Sequence, residues 1–284
     1  MAFNKTNFLV ADNTRDPSPV IWGQCPVDDI LENPSKGWHF YDDFKDFPLP
    51  GTQTTQIGFG KYKLFATASA SIAPVHSVNS VDTGIVQVNN VVVSTSATLA
   101  QSYGMARLSG VVGTDGKLWF EARVAVQTLA ATTQGFFLGL AETDKFTLAT
   151  AVPLNGSAAT LNNSGAMIGF QAIETGPTAI NTVVSDRATA FTNIQAGVAA
   201  TQPGSFGSTA YTFTKLGFIY DPSKSANCIT FYQDGVPFTT FYSQTSLLAT
   251  TNLKANSLAM MLAVLGTGTG AVYTQWWRCA QLYP

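Results

Sequence analysis

Lys117-Leu118-Trp119-Phe120-Glu121-Ala122-Arg123-Val124-Ala125-Val126, followed after a polar stretch by Gly135-Phe136-Phe137-Leu138-Gly139-Leu140-Ala141, is the part of the chain whose reading decides the fold. In the first run Leu118, Phe120, Ala122, Val124 and Val126 alternate with Glu121, Arg123 and Gln127, the period-two pattern of a half-buried strand. The second run is apolar on both faces and carries two glycines. It reads as a central strand that a neighbouring element approaches closely. Joined through residues 128–134, the two runs are expected to form one β-unit, with the rest of the chain as strands packed around it.

Working outward, short β-patterned runs recur at 38–44, 62–69, 84–89, 91–95, 106–112, 166–172 and 211–220, separated by Ser, Thr, Asn and Gly. Residues 174–209 are rich in Thr, Ala, Asn and Gly and are expected to be a surface excursion. Asp234-Gly235 sits between alternating Ile229–Gln233 and Val236-Pro237-Phe238, which is the pattern of a two-residue type I′ hairpin. Pro237 cannot donate to a ladder and so belongs at a sheet edge. Residues 257–265 predict a buried strand. The last strand, 272–282, places Trp276, Arg278 and Ala280 on one face and Trp277, Cys279 and Gln281 on the other. Helical periodicity extends over no more than about two turns. The class is all-β, with two packed antiparallel sheets.

Residues 1–37 differ in kind. Asp16-Pro17-Ser18-Pro19, Cys25-Pro26 and Asn33-Pro34 interrupt short apolar patches at Phe8-Leu9-Val10 and Val20-Ile21-Trp22. Frequent prolines exclude long helices and central strands, so an extended N-terminal arm is expected. It either wraps its own domain or reaches a neighbouring subunit. The division is arm 1–37 and sandwich 38–284.

Of the 284 residues 45% are hydrophobic and 11% charged, with 15 basic and 17 acidic side chains. Charged residues make up roughly a quarter of ordinary globular domains, so this surface must be built of Thr, Ser, Asn and Gln. Such a surface suits contact with neighbours. Without a basic cluster, nucleic acid is not an expected partner. No apolar run approaches the ~20 residues of a membrane helix, so neither is a membrane. Cys25, Cys228 and Cys279 lack metal-ligand spacing and read as free thiols. The start of the chain lacks the pattern of a signal peptide, consistent with folding in a cytoplasm.

The run 117–124 followed by 135–140 resembles the strand pair of the concanavalin A-like lectin/glucanase superfamily. Residues 216–221, the 229–236 hairpin and Trp276-Trp277-Arg278 resemble strands of its back sheet. The wording of residues 38–284, including Trp38–Phe44, is similar to virion proteins of tailed bacteriophages that carry this jelly-roll sandwich. The resemblance implies a concanavalin A-like β-sandwich in a virion, made in the host cytoplasm. It also implies a non-enzymatic job: decorating or cementing the outer capsid, with the major capsid protein and sister copies as partners. The alternative is a carbohydrate-binding head or tail fibre module contacting surface glycans, and the third reading is a glycan hydrolase.

Glucanase members carry Glu-x-Asp-x-x-Glu, carboxylates on one strand face that act as nucleophile and general acid. No such run occurs here. Adjacent Asp42 and Asp43 point to opposite faces of a strand, and with Asp46 they read as surface acids. Glu121 and Arg123 share a face and are expected to pair with each other or a neighbour. Glu142 and Asp144 could help hold calcium, a cation that takes several oxygens; no cofactor or catalytic residue is assigned. His39 and His76 lack triad partners, and 266–271 reads as a strand-to-strand turn because no helix follows it. The candidate partner or glycan contacts are Trp22 and the outward one of Trp276 and Trp277.

Overall fold

The two opening runs are both strands, but they belong to opposite layers. The protein's structure, a computed structural model, describes residues 16–47, 57–66, 71–75, 84–90, 95–126, 135–142, 154–155, 160–161, 166–172, 180–186, 192–198, 213–239, 241–266 and 270–284. In chain order the first elements are α1 (Pro19–Trp22), α2 (Val27–Glu32), β1 (Gly37–Asp42), β2 (Ile57–Phe59), β3 (Tyr62–Ala66), β4 (Ser71–Val75), β5 (Ile85–Asn90) and β6 (Thr95–Gln101). Then come β7 (Leu118–Val126), β8 (Gly135–Ala141), β9 (Leu154–Asn155), β10 (Thr160–Leu161), β11 (Ala166–Ala172), β12 (Ile180–Asp186), β13 (Thr192–Val198) and β14 (Thr214–Tyr220). The chain closes with β15 (Ile229–Gln233), β16 (Val236–Pro237), α3 (Gln244–Leu248), α4 (Asn252–Ala255), β17 (Ala259–Gly266) and β18 (Gly270–Leu282).

The first sheet runs β16-β15-β14-β7-β18-β5-β4, with β1 also on β18; the second runs β13-β12-β11-β8-β17-β6-β3-β2. Every pairing in both sheets is antiparallel. β7 lies in the first sheet and β8 in the second. The expected single β-unit is corrected accordingly: β8 holds a central position in the second sheet, between β11 and β17.

Leu118, Phe120, Ala122 and Val124 of β7 share the central core with Phe136, Leu138 and Leu140 of β8. Phe120 stacks on Phe218 of β14 at 5.0 Å, and Phe218 meets Phe231 of β15 at 5.6 Å. At the other end, Trp277 packs on Phe44 and Tyr62 at 5.4 and 5.8 Å. Asp234 and Gly235 carry positive φ angles of 49° and 78°, as the hairpin requires, and Pro237 lies on the edge strand β16. All three cysteines are free thiols.

Two local expectations change. The segment 174–209 contains strands β12 and β13, which extend the second sheet; Ile180, Val183 and Val184 are buried there. Its Val and Ile residues are few and diluted by Thr, Asn and Ala, so pairing with β11 rather than local hydrophobicity makes them strands. The N-terminal segment is not extended throughout, because residues 19–22 and 27–32 form α1 and α2. Pro19 takes the first helical position, where its missing N–H costs nothing. Residues 1–15 and His76 lie outside the described residues, as do 91–94. Residues 106–112 form only isolated bridges, Ala106 to Leu258 and Val112 to Asp115.

Candidate functional site

Two arrangements of polar side chains stand apart from the core. The first is a clasp on the outer face of the first sheet. Because Phe120 and Ala122 point inward, Trp119, Glu121 and Arg123 must point outward. On β18, Arg278 sits opposite Glu121. Residues 16–32 lie across this surface, with Ile21, Trp22 and Ile30 packed on Trp119, Ile219 and Ala280. Gly217 makes room for Ile21: a Cβ there would lie 2.8 Å from Ile21 Cδ1.

At the centre of the clasp Glu121 is fully buried. Its Oε2 accepts from the Ser18 backbone N–H at 2.9 Å and from Trp22 Nε1 at 2.8 Å. The Arg278 guanidinium lies 4.1 Å from the Trp22 ring centroid, and its Nε donates to His39 Nε2 at 2.9 Å. That bond requires a neutral imidazole. Burial, helped by the Arg278 charge, lowers the His39 pKa to about 4. Lys215 Nζ donates to the Asp16 carbonyl at 3.1 Å, and Lys117 Nζ to Gln24 Oε1 at 3.2 Å. Of the two pairings expected for Glu121 and Arg123, with each other or with a neighbour, Glu121 takes neighbours in the N-terminal segment, and the Arg123 guanidinium lies 4.4 Å from the Phe213 ring centroid.

Burial raises the Glu121 pKa, and the bonds from Ser18 and Trp22 and the Lys215 charge only partly offset this. A carboxyl whose pKa is higher folded than unfolded contributes stability below its unfolded value of about 4.3 and loses it as pH rises through the folded value. Glu121→Gln keeps an acceptor for both donors but cannot ionise. The variant is expected to match the parent near pH 4 and to gain stability over it towards pH 7–8. Denaturant midpoints compared pairwise at each pH check this, and a constant difference across that range refutes it.

The second arrangement is a cleft of about 380 Å³ at the rim where β1 and β3 leave their sheets, lined by Tyr41, Asp42, Asp43, Asp46, Phe47, Gly60, Lys61 and Tyr62. Asp42 organises its floor. One oxygen accepts from the Phe44 backbone N–H at 2.8 Å, holding Phe44 at a φ of 54°; the other meets Lys61 Nζ at 2.5 Å and the Tyr62 hydroxyl. Asp43 instead pairs with Lys45 at 2.5 Å. The two aspartates diverge as strand alternation requires. Asp46 and the Tyr41 ring are exposed at the mouth, Tyr41 by 45%.

The three tryptophans singled out in the sequence are not presented to solvent. Trp22 is 7% exposed, Trp276 1% and Trp277 0%. The expectation of one outward, accessible member of the Trp276/Trp277 pair is corrected. Trp277 belongs to the core, while Trp276 shares the outer face with Arg123 but is itself covered. Trp22 is the side chain that seats the clasp. Glu142 is buried, with Oε2 accepting from the Ala166 N–H at 3.3 Å; Asp144 lies outside the described residues. Among the described residues no group of three or more His, Cys, Asp or Glu is placed to hold a metal ion. The cleft was missed in the sequence because β1 and β3 meet there from different layers. The spacing of Asp42, Asp43 and Asp46 was its only trace.

No family model and no curated protein matches the sequence. Solved structures do. Arcelin-5, a lectin-like defence protein from Phaseolus vulgaris, superposes with a TM-score of 0.52 at 11% identity, over 88% of this chain and 100% of that one. The fold is a concanavalin A-like sandwich. An endo-1,3-beta-glucanase from Streptomyces sioyaensis aligns at 0.49 and 14% identity over 88% of this chain and 98% of that one. Peanut lectin aligns at 0.48 and 13% over 88% and 99%. Glycoside hydrolases and lectins both occur among these neighbours.

Proposed function

We propose that this concanavalin A-like sandwich is a non-enzymatic binding protein that serves as a structural component of a phage particle. In this reading it decorates or cements the outer capsid. Its partners are the major capsid protein and sister copies, contacted through the N-terminal segment and the polar loops. The observation that carries the non-enzymatic part is the use of its acids. The four buried carboxylates among the described residues, Asp42, Asp115, Glu121 and Glu142, each accept hydrogen bonds from the fold itself. Asp115, for example, takes the Ser109 N–H at 2.6 Å and the Ser109 hydroxyl at 2.5 Å, with Tyr220 donating at 3.1 Å. A glycosidase needs two carboxyl groups free to face a sugar from either side. Virion placement rests on the sequence resemblance and on the weakly charged surface, where many modest contacts repeated over a lattice sum to durable attachment. Antibody-gold labelling of purified particles is expected to find the chain at the capsid surface. Unlabelled particles would overturn the virion reading.

A second reading, glycan recognition, is favoured by the rim cleft. Its volume falls within the range of small-ligand sites. The exposed Tyr41 ring offers a stacking face, and Lys61 and Asp46 offer a donor and an acceptor for hydroxyl groups. In this reading Tyr41, not a tryptophan, is the contact. Tyr41→Ala is expected to weaken binding to a responding glycan on an array roughly tenfold, the equivalent of ~1.4 kcal/mol. Absence of any responding glycan would dispose of the reading.

A further inference from the structure

We propose that the clasp is an exchange site: the groove filled by a chain's own residues 16–32 also accepts that segment from a second copy, linking the two. The inference rests on the binding reading above and names sister copies as the partner of this groove.

The receptor half is built wholly from the sandwich. Glu121 supplies the acceptor, Arg278 the cationic face under Trp22, Gly217 the notch for Ile21, and Trp119, Ile219 and Ala280 the apolar floor. The inserting half is separated from these residues by roughly 90 to 260 positions of sequence, so nothing in the groove records which copy supplied the insert. An empty groove would leave Trp119 and Ile219 bare and the Glu121 carboxylate without its two donors. Filling it is favourable whatever the source.

The hinge is cheap to open. Residues Asn33, Pro34, Ser35 and Lys36 are all exposed. They are held by turn bonds, Ser35 N to Asn33 Oδ1 at 3.2 Å and Lys36 N to the Asn33 carbonyl at 3.0 Å, and by the exposed Lys36–Asp29 pair at 3.3 Å. Among the described residues opening sacrifices surface contacts of this kind, whereas the buried clasp contacts are recovered in the exchanged form. Four extended residues reach about 13 Å, so the two copies must abut at this corner. Two large exposed side chains flank it. Leu31 is 62% exposed in α2; Tyr283 is 49% exposed, and its N–H donates to the Lys36 carbonyl at 2.9 Å. In dilute solution a chain's own segment wins because it is tethered. At the millimolar local concentrations of neighbouring copies on a surface, exchange competes.

The test is complementation between two full-length variants. Trp22→Ala cannot supply the insert, and Glu121→Lys, placed beside Arg278, cannot receive it. Each alone is expected to be a monomer with residues 16–32 unprotected against amide exchange. An equimolar mixture at about 100 µM is expected to give a one-to-one dimer by light scattering, with protection returning in the Glu121→Lys copy's segment only. Should Glu121→Lys not give a cooperative unfolding transition, Arg278→Glu takes its place. Folded monomers that stay monomeric on mixing overturn the proposal. So does a dimer formed by Trp22→Ala alone, which would place the contact elsewhere. Because the mixture contains no particle, its failure leaves capsid attachment standing, and failed particle labelling leaves exchange standing.

Discussion

Trp277→Ala is expected to destabilise the protein by about 3–5 kcal/mol, the range for removing a fully buried tryptophan. Trp277 has no exposed surface and touches Phe44 and Tyr62, which also pack on each other at 6.1 Å. Its loss leaves a cavity where β1, β3 and β18 meet. Phe44 is held at positive φ with its N–H bonded to Asp42, which fixes its backbone beside the space. Urea midpoints of the variant and its parent check this, and a loss below about 1 kcal/mol would contradict the place of Trp277 in the core.

Gly139→Ala is expected to cost about 3 kcal/mol, the upper end for overpacking. Gly139 of β8 faces Gly169 of β11 across the second sheet. A Cβ on Gly139 would lie 2.2 Å from the Ile168 carbonyl oxygen and 2.6 Å from Gly169 Cα, both backbone atoms. Relief therefore requires separating two central strands. Gly113 is an internal comparison: its φ is +83° but nothing lies within 4 Å of an added Cβ. Alanine there meets only the left-handed penalty of about 1–2 kcal/mol. Thermal unfolding of both variants should show the larger loss at Gly139.

The final strand shows where sequence reading stops. Alternation in 272–282 correctly separates Trp276 and Arg278 from Trp277 and Cys279, but it cannot say which set enters the core. A bulge at Gln275 decides this, because Thr274 pairs with Val124 while Trp276 pairs with the adjacent Arg123. The extra residue shifts the phase, so Val272 and Trp277 share the inner face although they are five apart. Gln275 itself is buried, with neither amide atom hydrogen-bonded. A bulge is an agreement between two strands, and one strand's residues do not announce it.

The all-β class, the Asp-Gly hairpin, the edge position of Pro237 and the inward face of β7 are legible in the residues alone. Each follows from period-two alternation or from the φ demands of a few residues, which are local properties. Tertiary structure alone decided that β7 and β8 lie in opposite sheets and that Glu121 bonds Ser18 and Trp22. It also decided that all three candidate tryptophans are covered, and that Asp42 meets Lys61 and Tyr62 in a cleft. These are pairings between segments some 20 to 250 residues apart. Which partner an outward side chain finds depends on how the sheets stack and where the N-terminal segment lies, and neither leaves a periodic mark on the chain.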